Sequence, residues 1–363
     1  MVEAICTIGR QRWSRNNLMK KVARWILAVT GVFWLSLLLL GTMAWGALAI
    51  YYSDLGNIDL RVVAAGVFIF VSLVMLAGLA SCSWRWRALI GYAVMFFLLA
   101  AWWSTIKPSN DRTWQPDVAV LPYATFEGNL VTVHNIRNFA YRSETDFIPA
   151  YYDKTFDLRK LESLDLIASY WMGPEIAHTL LSFGFDGGDH LAISIETRKE
   201  QGEEYSTVKG FFKQYELFYV VADERDVIRL RTNYRKDPPE DVYLFRVHGP
   251  LEDGLRLFLE YMQKINGLRQ KPVFYNTLTT NCTTVIWQNN RMNPDHMPFS
   301  WKLLLSGHVP QYLYEVGRLN TSLPFAELYA RSRINIRAMA ADHSPDFSQR
   351  IRAGLPGYNA EGR

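Results

Sequence analysis

The hydrophobic residues of this chain follow two different patterns along its length. In the first hundred residues they form three uncharged stretches, 25–50, 62–83 and 88–106. Each is long enough to cross a hydrocarbon layer of about 30 Å as a helix, and Trp and Tyr border them as at a membrane interface. After residue 107, apolar residues alternate with polar ones or recur at helical spacing. The pattern therefore predicts three transmembrane helices followed by an α+β domain with an antiparallel sheet.

Changes in composition along the chain give the expected domain organisation. The segment after the third stretch is polar and contains Pro, and the last residues are polar without clear periodicity. We expect a cytoplasmic N-terminus at 1–24, the three membrane helices within 25–106, a linker at 107–122, the exported domain at 123–337 and a flexible tail at 338–363.

The distribution of basic residues predicts how the chain crosses the membrane. Six Lys or Arg residues precede the first span, and Arg85 and Arg87 lie in the second loop, whereas the first loop has one Arg against two Asp. The positive-inside rule then places the N-terminus in the cytoplasm and everything after Lys107 in the periplasm of a bacterial inner membrane. The net charge of +4 reflects this flanking bias, so it gives no indication of nucleic-acid binding.

Within the exported domain, periodicity predicts a hairpin and several further elements. Two alternating runs, 179–185 and 191–197, flank the turn residues 186–189. The other expected strands are 129–134, 215–222, 227–232 and 241–247. The expected helices are 157–172, 251–266, 285–290 and a surface helix within 303–319.

Cys282 is the only thiol in the exported part, since Cys6 and Cys82 fall on the cytoplasmic side. An inert core cysteine is one interpretation. The alternative comes from its neighbours, because Thr280 and Asn281 are good N-cap residues before an apolar helical run. The first turn of a helix favours a thiolate, and its free N–H groups can stabilise an oxyanion. We therefore expect Cys282 to be a nucleophile. We expect Asn281 and Thr283, its neighbours, to support the nucleophile and the oxyanion.

A thiol nucleophile needs a base, and the hairpin selects one histidine. If the apolar faces of its two strands share the core, the loop has an odd number of residues, for instance 186–188. His178 then lies opposite Glu196, with Ser182 and Ser194 on the same polar face. His190 lies beside the turn and is expected to be solvated. No pair of His or Cys has zinc-ligand spacing, so we expect neither a metal nor a cofactor.

Two segments carry a resemblance to a known family. Ala-His-Thr-Leu-Leu-Ser-Phe at 177–183 and Asn-Cys-Thr-Thr at 281–284 resemble the signature segments of the Lnb-type periplasmic domain family. The order of His, hairpin and much later Cys is similar to that of the circularly permuted, NlpC-type papain-like fold. The resemblance implies Cys282 as nucleophile, His178 as base and a role in lipoprotein N-acylation. Glu196 as the third member comes from the hairpin register.

Three functions are compatible with the sequence. The first is a membrane-anchored acyltransferase that forms a thioester from a phospholipid acyl chain and passes it to an amine, such as a lipoprotein N-terminus. The second is an NlpC-type amidase or peptidase acting on cell-wall peptides, and the third is a non-catalytic anchored module. Aromatic Tyr275 and basic Arg229 and Arg231 are candidate substrate-binding residues, the arginines for lipid phosphate.

Overall fold

The computed structural model describes residues 2–79 and 83–358 of the chain. It divides into two compact units, with the boundary between Lys107 and Pro108. Cys82 and the last five residues of the expected tail lie outside the described residues.

The first unit consists of helices that match the three apolar stretches. They are α1 (Val2–Tyr51), α2 (Ile58–Gly78) and α3 (Arg85–Thr105). Each contains a segment long and apolar enough to cross a membrane, which in α1 begins at Met19. Helix α1 continues through the expected cytoplasmic N-terminus. A Cβ at Gly46 would come within 2.7 Å of the Phe68 ring, so the glycine permits close packing of α1 on α2.

The second unit is built on an eight-stranded sheet. Its strands are β1 (Tyr123–Glu127), β2 (Leu130–Arg137), β5 (Tyr151–Asp157), β6 (Leu161–Tyr170), β7 (Ala177–Phe185), β8 (Asp189–Arg198), β9 (Glu216–Ala222) and β10 (Asp241–Arg246). The strand order is β1-β2-β9-β8-β7-β6-β10, with β5 also pairing with β2. All pairs are antiparallel except β2 with β9. A small separate ribbon joins β3 (Ala140–Tyr141) to β4 (Phe147–Ile148). The α+β class and the antiparallel sheet are confirmed.

Helices cover both faces of this sheet. They are α4 (Glu224–Arg229), α5 (Leu251–Gln270), α6 (Cys282–Asn290), α7 (Val309–Glu315), α8 (Phe325–Arg331), α9 (Asn335–Ala340) and α10 (Phe347–Arg352). One core lies between the sheet and α5, α6 and α7. The other lies between the opposite face and α4, α9 and α10. As a result, every residue of β7 is buried.

The helix expected at 157–172 is wrong, because this segment forms a short 3₁₀ turn followed by β6. Its apolar residues point alternately into the two cores, with Leu166 on one side and Ile167 on the other. A strand buried on both faces loses the alternation that identifies a half-exposed strand, and its apolar spacing then imitates a helix.

The strand expected at 227–232 is also wrong. Asp223 accepts a hydrogen bond from the backbone N–H of Arg225 and begins α4, and a π-helical turn at Leu230–Tyr234 continues it. The sequence after Asp223 contains β-branched residues, but the N-cap and the packing of Val227 and Ile228 against the second core favour the helix.

The tail expected to be loose is folded up to residue 358. Phe347, Ile351 and Leu355 are fully buried in the second core. Arg352 of α10 is buried too, and its guanidinium reaches Asp165 of β6 at 2.8 Å and Glu224 of α4 at 2.6 Å. Buried charges are tolerated only when paired, so a polar sequence here marks an internal ion cluster. We call this cluster the arginine network: Asp165, Ser182, Glu224, Arg246, Arg352 and Tyr358.

The expected linker at 107–122 is likewise part of the folded domain. Trp114 and Val118 are buried. The guanidinium of Arg198 lies 4.2 Å from the centre of the Trp114 ring and donates to the carbonyls of Val118 and Ala119. The domain therefore begins about fifteen residues before the expected boundary at 123, at Pro108.

Candidate active site

Cys282 is the first residue of α6, as the sequence predicts. The Asn281 side chain accepts a hydrogen bond from the backbone N–H of Thr284 at 2.8 Å, and the Thr284 hydroxyl accepts from the backbone N–H of Asn281 at 3.0 Å. This reciprocal capping box fixes the helix start. Asn281 thus holds the turn that carries Cys282.

Thr283 supports the site from the other side of the same turn. Its buried hydroxyl donates to the carbonyl of Leu303 at 2.7 Å and ties α6 to the following segment. Within the described part of the chain, no acceptor is found for the backbone N–H groups of Cys282 and Thr283. Unpaired N–H groups at a helix start can stabilise negative charge on an oxygen beside the sulfur.

The hairpin of β7 and β8 has the expected register. Phe185 pairs with Asp189, so the loop is 186–188, and Leu180 pairs with Ser194. The same register places His178 opposite Glu196 at the far end of the hairpin. The Nε2 of His178 lies 3.1 Å from the Oε1 of Glu196. The structure therefore brings together the imidazole and the carboxylate that the sequence pairs.

Ser194 has a more direct role than the sequence suggests. Its hydroxyl lies 2.6 Å from the Nε2 of His178 and donates to the Oε1 of Glu196 at 2.7 Å. Because the hydroxyl proton points to the carboxylate, the serine oxygen accepts from the imidazole N–H. The sequence places Ser194 on the same strand face as His178 and Glu196 but does not reveal this bridge.

The thiol of Cys282 and the imidazole of His178 lie close enough to shift each other's pKa. Burial acts to raise the pKa of Cys282, but the interaction with His178, with a smaller effect of Thr179, brings that pKa below its ordinary value. Burial acts to lower the pKa of His178, yet the Glu196 carboxylate and the Cys282 sulfur raise it to about 9. Both shifts favour the thiolate–imidazolium pair over the neutral pair.

A chain of ion-paired side chains lies next to the imidazole of His178. Burial acts to raise the pKa of Glu196, but His178, Arg231 and Ser194 hold it well below the ordinary value. The guanidinium of Arg231 lies 3.0 Å from Glu196 and 3.0 Å from Glu240. We call this chain the histidine network: His178, Ser194, Glu196, Arg231 and Glu240.

The structure gives Arg229 and Arg231, the candidate residues for lipid phosphate, partners within the domain. Arg231 is only 3% exposed, and its guanidinium forms ion pairs with Glu196 and Glu240. Arg229 donates to the carbonyl of Asp342 at 2.8 Å and lies near its carboxylate. Both sit on α4 and the π-helical turn after it, which face the second core. The partners of these arginines are not evident from the sequence, because Glu240 and Asp342 come from other segments of the chain.

Tyr275 lies close to the site and His190 does not. Burial first, and then the nearby Tyr205, Cys282 and Glu196, raise the pKa of the Tyr275 hydroxyl. The backbone N–H of Tyr275 donates to Tyr215, which holds the residue beside β9. His190 pairs with Gly184 at the turn end of the hairpin, and its ring nitrogen contacts the carbonyl of Gly188.

A loop with exposed apolar side chains joins the two halves of the site. The Ser306 hydroxyl accepts from the backbone N–H of Ala177, next to His178, and Leu303 accepts from Thr283, next to Cys282. A Cβ at Gly307 would lie 2.0 Å from the carbonyl oxygen of Pro174, so only glycine allows this close approach. The exposed apolar side chains of this region are Met172, Ile176, Phe299, Trp301, Leu304 and Leu305.

Comparison with known proteins assigns this region to a family. Residues 148–307 match the family model of the Lnb N-terminal periplasmic domain. No curated protein and no solved structure matches the chain. The matched segment contains β6, β7 and β8, the start of α6 and the loop that joins them. The part of the chain that holds Cys282, His178 and Glu196 therefore belongs to the Lnb-type periplasmic domain family.

Proposed function

We propose that this chain is a membrane-anchored cysteine acyltransferase that takes an acyl group from a phospholipid and passes it to an amine, such as a lipoprotein N-terminus. The observation that carries the proposal is that Cys282, His178 and Glu196 lie together: the imidazole is 3.1 Å from the carboxylate, and the imidazole and the thiol shift each other's pKa towards the thiolate–imidazolium pair. A nucleophile, a base and an orienting carboxylate in this order are the parts that covalent acyl transfer requires.

In the first half-reaction, the thiolate of Cys282 attacks the ester carbonyl of the donor. A carbon–sulfur bond forms, and the carbonyl oxygen takes up negative charge beside the backbone N–H groups of Cys282 and Thr283. The carbon–oxygen ester bond then breaks. The imidazolium of His178 gives its proton to the departing alkoxide, which leaves as the alcohol of a lysophospholipid.

In the second half-reaction, an amine attacks the thioester. A carbon–nitrogen bond forms, the carbon–sulfur bond breaks, and Cys282 leaves as a thiolate. His178 takes the proton released by the amine and returns to the imidazolium form. Glu196 and Ser194 hold the imidazole in one orientation throughout. Tyr275, buried beside the sulfur, is a candidate contact for the acceptor.

Two further observations support a lipid substrate. Three apolar helices precede the domain, so the enzyme is anchored where phospholipid is abundant. The loop that joins the two halves of the site exposes Phe299, Trp301 and Leu304. Contiguous exposed apolar groups are typical of membrane or lipid contact.

We also propose that the N-terminus is cytoplasmic and that the domain lies in the periplasm of a bacterial inner membrane. The Lys and Arg residues before the first span support this orientation. A maleimide that cannot cross membranes should label Cys282 in spheroplasts and leave Cys6 unlabelled. Labelling of Cys6 instead of Cys282 would indicate the opposite orientation in the membrane.

Intact-mass measurement tests the acyltransferase proposal. The full chain, in nanodiscs of diacyl phospholipid, should gain the mass of one fatty-acyl group, and neutral hydroxylamine should remove it. Cys282→Ser should show no adduct, whereas the matched variant Cys6→Ser should behave as the wild type. An unmodified wild-type spectrum would contradict phospholipid as the donor.

Hydrolysis of an amide in cell-wall peptides is the alternative that uses the same three side chains. It would be favoured by cleavage of such a peptide together with the absence of a phospholipid-derived adduct. The proximity of Cys282 to His178, with the mutual shift of their pKa values, counts against a non-catalytic module, since an inert core cysteine has no need of an imidazole partner.

A further inference from the structure

Two cavities lie end to end in the core between the sheet and α6. The inner one has a volume of about 70 Å³ and the outer one about 350 Å³. They are adjacent, and we call the two together the passage, because they share the lining residues Leu164, Val247, Leu257, Asn290, Met297 and Leu313. Five of these six residues are apolar, so the boundary between the two cavities is hydrophobic.

The inner end of the passage adjoins the nucleophile. Thr283, the residue after Cys282, lines it, and so does Thr179, which is close enough to lower the pKa of the Cys282 thiol. Thr283, Ile286 and Asn290 recur at one-turn intervals along α6 and all line the inner cavity. Seven residues of helix span about 10 Å, so the cavity follows α6 from its first turn to its last.

The outer end opens between β10 and α5, and its two arginines are already paired. The guanidinium of Arg246 bonds Asp165 at 2.7 Å, and that of Arg318 lies 3.9 Å from Asp253 and donates to the carbonyl of Asp295. A mouth whose arginines are paired internally does not demand an anionic ligand. The walls of the inner cavity are mainly aliphatic, and apolar cavities of this kind take up apolar ligands.

We propose that this passage is the acyl-chain subsite, in which an unbranched hydrocarbon chain runs from the carbonyl at Cys282 along α6 into the outer cavity. The inference rests on the proposed function and deepens it, because it defines the class of acyl donor. An apolar cavity of about 150 Å³ holds benzene, so the outer cavity has room for the end of a medium-length chain. The inner cavity, at about 70 Å³, admits only a chain without branches or polar groups.

Val247 and Met297 are suited to test the passage because both are half-buried and line both cavities. Val247→Phe narrows the junction, and Met297→Ala widens it. Val120→Phe is the matched control, since Val120 is exposed and lines neither cavity. Ether-linked phospholipid nanodiscs keep the full chain in a membrane without supplying a competing ester.

The experiment measures the rate of acyl-enzyme formation from p-nitrophenyl esters of two to ten carbons. For the wild type, the rate should rise by about fourfold per added methylene until the passage is full. Val247→Phe should lower the ratio of the ten-carbon to the two-carbon rate by at least about tenfold, and Met297→Ala should move the optimum to longer chains. Val120→Phe should keep the wild-type ratio.

The outcomes separate this inference from the proposed function. Both rates come from one preparation, so partial unfolding of a variant lowers both and leaves their ratio unchanged. Equal wild-type rates at all lengths, or a wild-type ratio in Val247→Phe, would overturn the subsite while acyl transfer stands. Absence of an acyl-enzyme with every ester, the two-carbon ester included, would overturn the proposed function itself.

Discussion

The histidine network and the arginine network lie on the same face of one sheet and differ in how they end. His178, Leu180 and Ser182 alternate along β7, so the first and third residues point to the same side. His178 belongs to the first network and Ser182 to the second. Both networks bury carboxylates against guanidinium groups beneath helices of the second core.

The arginine network is closed, in the sense that its charged groups pair with one another. Arg352 bonds both Asp165 and Glu224, and the hydroxyls of Ser182 and Tyr358 donate to the same carboxylates. Burial acts to raise the pKa of Glu224, but Arg352 brings it down to about 2. The charged groups of this cluster are paired with one another, so the cluster is suited to stabilise the fold.

The histidine network is open at one end. Arg231 and Glu240 resemble the closed cluster, and Arg231 lowers the pKa of Glu240 to about 2 against the effect of burial. The chain ends, however, in an imidazole whose pKa is about 9 and which contacts a thiol. Two networks of similar composition therefore differ by the titratable group at the end of the chain.

The largest expected effect comes from removing that group. His178→Ala should lower the rate of acyl-enzyme formation by about 10³–10⁴-fold, because the thiol loses both its base and its counterion. His190→Ala is the matched control on the same hairpin and should have almost no effect. Equal losses in the two variants would contradict the assignment of the base.

The next effect separates stability from activity. Arg352→Met should reduce the free energy of unfolding by about 3–5 kcal/mol, since Asp165 and Glu224 then remain buried without their main counterion. The activity per folded molecule should stay near that of the wild type. Denaturant unfolding of the full chain in detergent, followed by tryptophan fluorescence, measures the change.

Arg231→Met provides the comparison for that variant. Its loss should appear in acyl-enzyme formation as well as in stability, because Arg231 pairs with Glu196 behind the imidazole. If Arg352→Met instead lost activity at unchanged stability, the arginine network would not be a closed structural cluster.

A smaller effect concerns the pH dependence of the thiol. His178 lowers the pKa of Cys282, so iodoacetamide should alkylate the wild type with a midpoint below the ordinary thiol pKa of 9.0. In His178→Gln, burial is no longer opposed by a cation and the midpoint moves above that value. The alkylation rate at pH 7 should then fall by at least about tenfold. An unchanged midpoint would show that His178 does not set the thiol pKa, and His190→Gln should leave the midpoint in place.

The sequence predicts the site better than it predicts the surroundings of the site. Asn281 marks the start of α6 because capping is a local interaction, and the register of β7 with β8 follows from alternation across a short loop. The partners of Arg231 and Arg352 are not predictable in this way, because they come from segments far along the chain. The nature of β6 is also hidden, since burial on both faces removes the period of two.

The smallest expected effect decides which residue orients the imidazole. Ser194 bridges His178 and Glu196, but the Oε1 of Glu196 also lies 3.1 Å from the Nε2 of His178. In Ser194→Ala the carboxylate can accept directly from the imidazole, so the rate of acyl-enzyme formation should fall by only about tenfold or less. Glu196→Gln should cost more, because it removes the negative charge that holds the pKa of His178 high.

Ser182→Ala is the matched control for this prediction. Its hydroxyl donates to Glu224 in the arginine network, on the same face of β7, and its loss should lower stability slightly and leave the rate unchanged. A loss in Ser194→Ala as large as that in His178→Ala would identify the serine as the orienting residue. Glu196 would then act only through Ser194, and the two networks would differ by a hydroxyl relay as well as by an imidazole.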